Sequence, residues 1–278
     1  MMPLLAEAAP DEFLDAVESV LIKLDSAPFH KVFAEEGSGG FGGWNYMSGL
    51  LWALESLAWS PAYLSRVAVI LADIASIDPG GNWSNRPSNS LADIFLPWHV
   101  QTTASFDKRK SAIEAVLKEQ PLVGWKLLLA LLPHNHGFTT GCHHPTWREF
   151  IPRDWKGTVL MSEYWEQVTA LTNHAIELAK SDSAKLCELI ERLSDLPMSA
   201  HDSILDHLST SEVVSLSEAD RLPLWEKLDK LVRRHRKFAD TDWALSEEAV
   251  SKIADVARAL APKAPEFQYH QLFSDRDF

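Results

Sequence analysis

One stretch of the chain concentrates side chains that could do chemistry. Residues 133–147, PHNHGFTTGCHHPTW, hold four histidines and one of the two cysteines. Imidazole and thiolate are ligands that zinc prefers. The candidate ligands are His134, His136, Cys142 and His144. Their spacing matches no standard zinc finger, and the alternative is a Gly- and Thr-rich loop whose imidazoles bond to its own backbone.

A catalytic interpretation of the same stretch rests on the cysteine. Cys142 stands beside His143 and His144, and a thiol next to an imidazole base is a nucleophile pattern. Neighbours in sequence seldom reach the required geometry, and no protease signature accompanies them. The glycine run GSGGFGG at residues 37–43 is not a phosphate loop, because no strand precedes it and no Lys-Ser or Lys-Thr follows it.

Two other segments combine tryptophan with arginine, residue types enriched where proteins bind partners. They are NWSNRPSNS at residues 82–90 and HPTWREFIPRDW at residues 144–155. The candidate partner-binding residues are Trp83, Arg86, Trp147, Arg148 and Trp155. The structural alternative makes Asn89 or Ser90 the cap of a helix that starts at Leu91, and makes the second segment a loop anchored on the helices.

Helices must position these residues, because helical periodicity dominates the rest of the chain. The apolar segment GLLWALESLAW predicts a buried helix, Ser60-Pro61 the start of the next one, and Pro121 a break within residues 108–132. No run alternates like a strand. We therefore predict an all-α fold of stacked helical hairpins, either a solenoid or an irregular helical bundle. Long loops are expected at residues 35–44 and 133–157.

The segment LLWALESLAWSPAYLSRVAVILADIASIDPG resembles a degenerate HEAT unit, and the helical pairs recur at roughly the period of such arrays. The resemblance implies an α-solenoid-like stack with a concave face. Two further runs, GGNWSNRPSNSLADIFLPWHVQT and HRKFADTDWALSEEAV, resemble helical regions of large multidomain bacterial proteins. Some of those are similar to signal-sensing ATPases and other defence proteins, in which such regions act as sensors or scaffolds.

Composition limits the classes of partner and the compartment. The net charge of −13 opposes nucleic-acid binding, and the basic run at residues 233–237 is typical of a helix C-terminus. Two cysteines cannot form a disulfide framework, no signal peptide begins the chain, and no apolar run is long enough to span a bilayer. We expect a cytoplasmic protein without membrane association. We also expect one helical domain over residues 1–278, a fragment of a longer protein, with a possible division into 1–158 and 159–278.

The sequence thus favours a non-enzymatic helical scaffold or sensor module that binds a protein partner and needs no cofactor. The main alternative is a zinc-binding domain or metal-dependent hydrolase that uses residues 134–144, so enzymatic activity stays open. A third hypothesis is an acidic domain that binds a basic protein, with an association that salt weakens.

Overall fold

The computed structural model describes residues 1–22, 27–34, 47–81, 84–134, 137, 139 and 141–264. Every regular element within these residues is helical, which confirms the all-α prediction. The helices are α1 Met2–Ala8, α2 Pro10–Ile22, α3 Ala27–Ala34, α4 Ser48–Ala58, α5 Leu64–Ser76, α6 Pro87–Phe95, α7 Phe106–Glu119, α8 Pro121–Leu131, α9 Met161–Ala179, α10 Ser183–Ile190, α11 Met198–Leu208, α12 Ser211–Val214, α13 Glu218–Lys237 and α14 Glu247–Leu260, with a short 3-10 turn at Leu193–Asp195. None of the helices in this described part is both long and apolar enough to cross a membrane.

The described residues fall into two compact units. Unit 1 comprises Met1–Leu131 with Gly137–Gln167, and unit 2 comprises Leu132–His136 with Val168–Phe278. The change from one unit to the other near the middle of the chain lies inside α9. The division at 158/159 that the sequence suggests stays a prediction.

Unit 1 is organised around α5. This helix packs against α2, α4, α6, α7 and α8, and α1 packs against α4. The reason lies in the apolar pattern: α4 is buried over most of its length and α5 over a wide face. In a repeat protein, each repeat contacts only its neighbouring repeats. A central helix that contacts five others therefore favours the irregular bundle for unit 1. The HEAT-like stack stays a prediction.

Unit 2 is built on α13 and α14, which pack against each other. α10 packs on α13, and α11 packs on α14. Ser217 caps α13 by accepting from the Asp220 amide, and Ser246 caps α14 by accepting from the Ala249 amide. The apolar face of α14 is buried along its length, so local capping and hydrophobic burial agree here.

Several helix boundaries differ from the sequence predictions. The break at Pro121 is confirmed, since α7 ends at Glu119 and α8 begins with Pro121. The predicted start at Pro61 is wrong, because Pro61 lies in a turn before α5. The predicted caps Asn89 and Ser90 are also wrong: α6 begins three residues before Ser90, with Pro87 at its first position and Arg86 before it.

Candidate functional site

The histidine-rich stretch ends in a loop, residues 141–148, which we call the platform loop. It belongs to unit 1 and has no regular secondary structure. A loop without a ladder must satisfy its backbone amides in another way. Here two buried carboxylates, one from α1 and one from α4, accept four of the amides, those of His143, Thr146, Trp147 and Arg148.

Glu55 on α4 holds the first half of the platform loop. It is only 6% exposed. One carboxylate oxygen accepts from the backbone amide of His143 at 2.7 Å, and the other accepts from the Ser90 hydroxyl at 2.6 Å. Burial raises the pKa of Glu55, and these two hydrogen bonds oppose that rise. Glu55 therefore links α4, α6 and the loop.

Glu7 on α1 holds the second half. Its side chain is buried, at 1% exposure for the residue. The carboxylate accepts from three successive backbone amides, those of Thr146 at 3.0 Å, Trp147, and Arg148 at 2.8 Å. The Arg148 guanidinium turns back and donates to the carbonyls of Glu7 and Ala8. The end of α1 and the loop are thereby fixed to each other by both backbone and side chain.

Cys142 is a packed thiol in this arrangement. It is buried, and its backbone amide donates to the Gln101 side chain at 2.9 Å. Burial raises the pKa of the thiol, and the charges of Glu55 and Asp93 raise it further. Because the thiolate is the reactive form, this environment opposes the nucleophile interpretation.

His143 is fixed in one tautomer by Ser56. The Ser56 hydroxyl donates its hydrogen to the Trp52 carbonyl and lies 2.9 Å from His143 Nδ1. Since that hydrogen is already used, Nδ1 must donate to the hydroxyl. The ring also stacks on Trp52, with centroids 5.8 Å apart. His143 therefore has the role of a loop anchor, and the Trp59 indole donates to its carbonyl at 3.0 Å.

His144 is exposed and lies against the Trp59 ring, with centroids 4.4 Å apart. Partial burial lowers the pKa of His144, and the nearby charges of His143 and His99 lower it further. His144 thus lies within electrostatic reach of two other imidazoles, those of His143 and His99. They favour the neutral state of His144 near physiological pH.

The predicted metal ligands are not brought together within the described residues. There, no three His, Cys, Asp or Glu side chains form a group that could hold a metal ion. His134 Nδ1 donates to the backbone carbonyl of Leu132, two residues earlier, at 3.2 Å. His136 lies outside the described residues, so the zinc alternative stays a prediction. Metal content of the tag-free protein, compared with a His136→Ala variant, measures it directly.

The predicted partner-binding residues have different surroundings. Trp147 is 67% exposed, and its indole has no hydrogen bond or ring contact with any described residue. The ring of Trp155 packs edge-on against Trp59 at 5.2 Å, so it serves as an internal anchor. Arg86 is buried in an ion pair with Asp78 at 3.0 Å. Trp83 lies outside the described residues.

The two glutamates that position the loop are not among the site residues predicted from the sequence. A signal was present for Glu55, which is the only charged residue of the apolar segment GLLWALESLAW. A lone carboxylate on a buried helix must find donors. Glu7 carries a weaker signal, in LLAEAAP, because α1 is too short for its buried face to be read from periodicity.

Comparisons with known proteins found no relative of this chain. No protein-family model, no curated protein and no solved structure matches the chain. The function must therefore be argued from the site.

Proposed function

We propose that the chain is a non-enzymatic helical module that binds a protein partner through the platform loop, with Trp147 as the central contact. The proposal keeps the scaffold or sensor role expected from the sequence. The resemblance to helical regions of large bacterial proteins suggests the same setting for this chain.

One observation carries the proposal: the backbone of the loop is fixed while its tryptophan is left free. Three successive backbone amides, including that of Trp147 itself, donate hydrogen bonds to the buried carboxylate of Glu7. The indole of Trp147 points to solvent at 67% exposure. A rigid loop loses little conformational entropy on binding, and tryptophan is prominent among residues that dominate binding energy.

The surroundings of Trp147 support binding and oppose catalysis. The thiol of Cys142 is buried in an environment that keeps it protonated. His143 Nδ1 donates to the Ser56 hydroxyl. The Glu55 carboxylate is occupied by the His143 amide and the Ser90 hydroxyl. The chemically rich residues of the stretch therefore hold the loop in place.

The test places a photo-crosslinking amino acid at position 147 and, as a matched control, at position 122. Leu122 on α8 is also apolar and 79% exposed. We expect a discrete crosslinked partner from position 147 and none from position 122. The identified partner then gives an affinity series.

In that series, Trp147→Ala should weaken binding by at least about tenfold, as a hot-spot truncation does, and Leu122→Ala should leave it unchanged. The melting temperature of both variants should match that of the wild type. Full affinity in a folded Trp147→Ala variant would refute the proposed surface.

A further inference from the structure

A second feature of unit 1 is a cleft between α5, α6 and α8, which the platform loop does not line. Its volume is about 410 Å³, within the range of small-molecule sites, roughly 300–1,000 Å³. Small side chains from the three helices leave this space: Ala75 on α5, Ala92 on α6 and Ala130 on α8. Leu127 adds a larger apolar surface to the wall.

The charges at the cleft sum to a net positive charge, because the carboxylate that lines it is already paired. Asp78 lines it, but its carboxylate is paired with the buried Arg86 at 3.0 Å and also accepts from the Gly80 amide. Lys126 lines the same cleft, and its ammonium has no ion pair with any residue that the structure describes. The cleft therefore offers one uncompensated positive charge.

The polar groups of the cleft are grouped on α6. The side chains of Ser88 and Asn89 line it and are exposed, so they can bond to a bound molecule. The remaining lining is mostly apolar. A molecule that matches this arrangement carries a negative group at one end and an apolar body at the other.

We propose that this cleft binds a small amphipathic anion, an organic carboxylate with an apolar chain. The carboxylate pairs with Lys126, and the chain covers the alanine-lined wall. The charges of Asp78 and Arg86 cancel in their ion pair, so Lys126 is the group that attracts the ligand's carboxylate. This binding site is independent of the proposed partner surface and adds a ligand to the module.

The experiment titrates the full chain with octanoate and, separately, with 1-octanol, by ligand-observed magnetic resonance and calorimetry. Two variants separate the contributions. Lys126→Met removes the charge and keeps an unbranched side chain, whereas Ala92→Leu fills the space. The melting temperature of each variant is measured first, and Ala130→Leu replaces Ala92→Leu if the latter does not fold.

Saturable octanoate binding is expected, with a loss in the filled-cleft variant. Lys126→Met should weaken octanoate binding by about fivefold, the effect of one solvent-facing ion pair, and should leave octanol binding unchanged. The proposal is overturned if octanoate shows no saturable binding or binds the filled cleft equally well. Equal effects of Lys126→Met on octanoate and octanol would overturn the assignment of an anion.

Discussion

The platform loop of unit 1 and residues 238–245 of unit 2 are both loops that carry an exposed tryptophan and depend on a buried polar side chain. In the platform loop, the buried groups are carboxylates that accept backbone amides. In unit 2, the buried group is His235, whose Nδ1 accepts from the Leu245 amide at 3.1 Å and whose Nε2 lies 3.0 Å from the Ser194 hydroxyl. The tryptophans of the two loops then differ in their contacts.

Trp243 is 48% exposed, yet its ring is part of the packing of unit 2. It contacts His235 edge-on at 5.5 Å and Phe238 at 5.7 Å, and the Arg234 guanidinium lies over it at 5.0 Å. Trp147 has no such contacts among the described residues. Exposure alone therefore does not identify a binding residue: the tryptophan available to a partner is the one whose loop is held by other groups.

The largest expected effect is that of Glu7→Ala. The change leaves three backbone amides of the platform loop without their acceptor, and each buried donor left unpaired costs about 1–3 kcal/mol. Because the loop can relax toward water, we expect a loss of about 3 kcal/mol in the free energy of unfolding of unit 1. Urea denaturation gives the loss, and hydrogen exchange assigns it to unit 1.

The matched control for this change is Glu12→Ala, since Glu12 is an exposed glutamate in the first turn of α2. It should alter the free energy of unfolding by less than about 0.5 kcal/mol. If Glu7→Ala is as mild as this control, the carboxylate does not hold the loop.

The second effect is a pH dependence in unit 2. The Leu245 amide can bond to His235 only while Nδ1 is unprotonated, and burial and the charge of Arg234 lower the pKa of His235. The folded state then binds fewer protons than the unfolded state just below pH 6.5, the ordinary histidine value. The stabilisation is complete above that pH and is lost as the pH falls toward the lower pKa of the folded state.

Thermal unfolding of the wild type between pH 7.5 and 5 measures this loss, and His235→Gln is the control. Glutamine offers one acceptor and one donor without titrating in this range. Burial also lowers the pKa of His201 in unit 2, so the difference between the two proteins is the quantity to compare. Identical pH dependence in both would contradict the role of His235.

The smallest effect separates the two tryptophans. Trp243→Ala removes ring packing and should cost unit 2 about 1.5 kcal/mol in its free energy of unfolding. Trp147→Ala should change the stability of unit 1 by less than about 0.5 kcal/mol. Parallel urea titrations of the two variants measure both values. A comparable loss in Trp147→Ala would show that its indole is packed into unit 1, as that of Trp243 is packed into unit 2.

Periodicity and proline positions predicted the all-α class, the buried α4 and the break between α7 and α8, because these features depend on local pattern. The stretch at residues 133–147 stands out in the sequence by its histidines and cysteine, and the role of Trp147 as a partner contact stays a prediction. The anchoring was not predictable: Glu7 and Thr146–Arg148 are separated by more than 130 residues, and only folding brings them together. The pair of Arg86 with Asp78 was not predicted either, although only eight residues separate them, because nothing in NWSNRPSNS reveals it.

Amide hydrogen exchange of Thr146, Trp147 and Arg148 tests most directly whether the platform loop is fixed as the proposed function requires. The amide of Glu149 is an internal reference, because it has no partner among the described residues. We predict that the three amides exchange much more slowly than Glu149 in the wild type and lose this protection in Glu7→Ala. Exchange at the rate of Glu149 in the wild type would show that Glu7 does not fix the loop and would contradict a prearranged binding surface at Trp147.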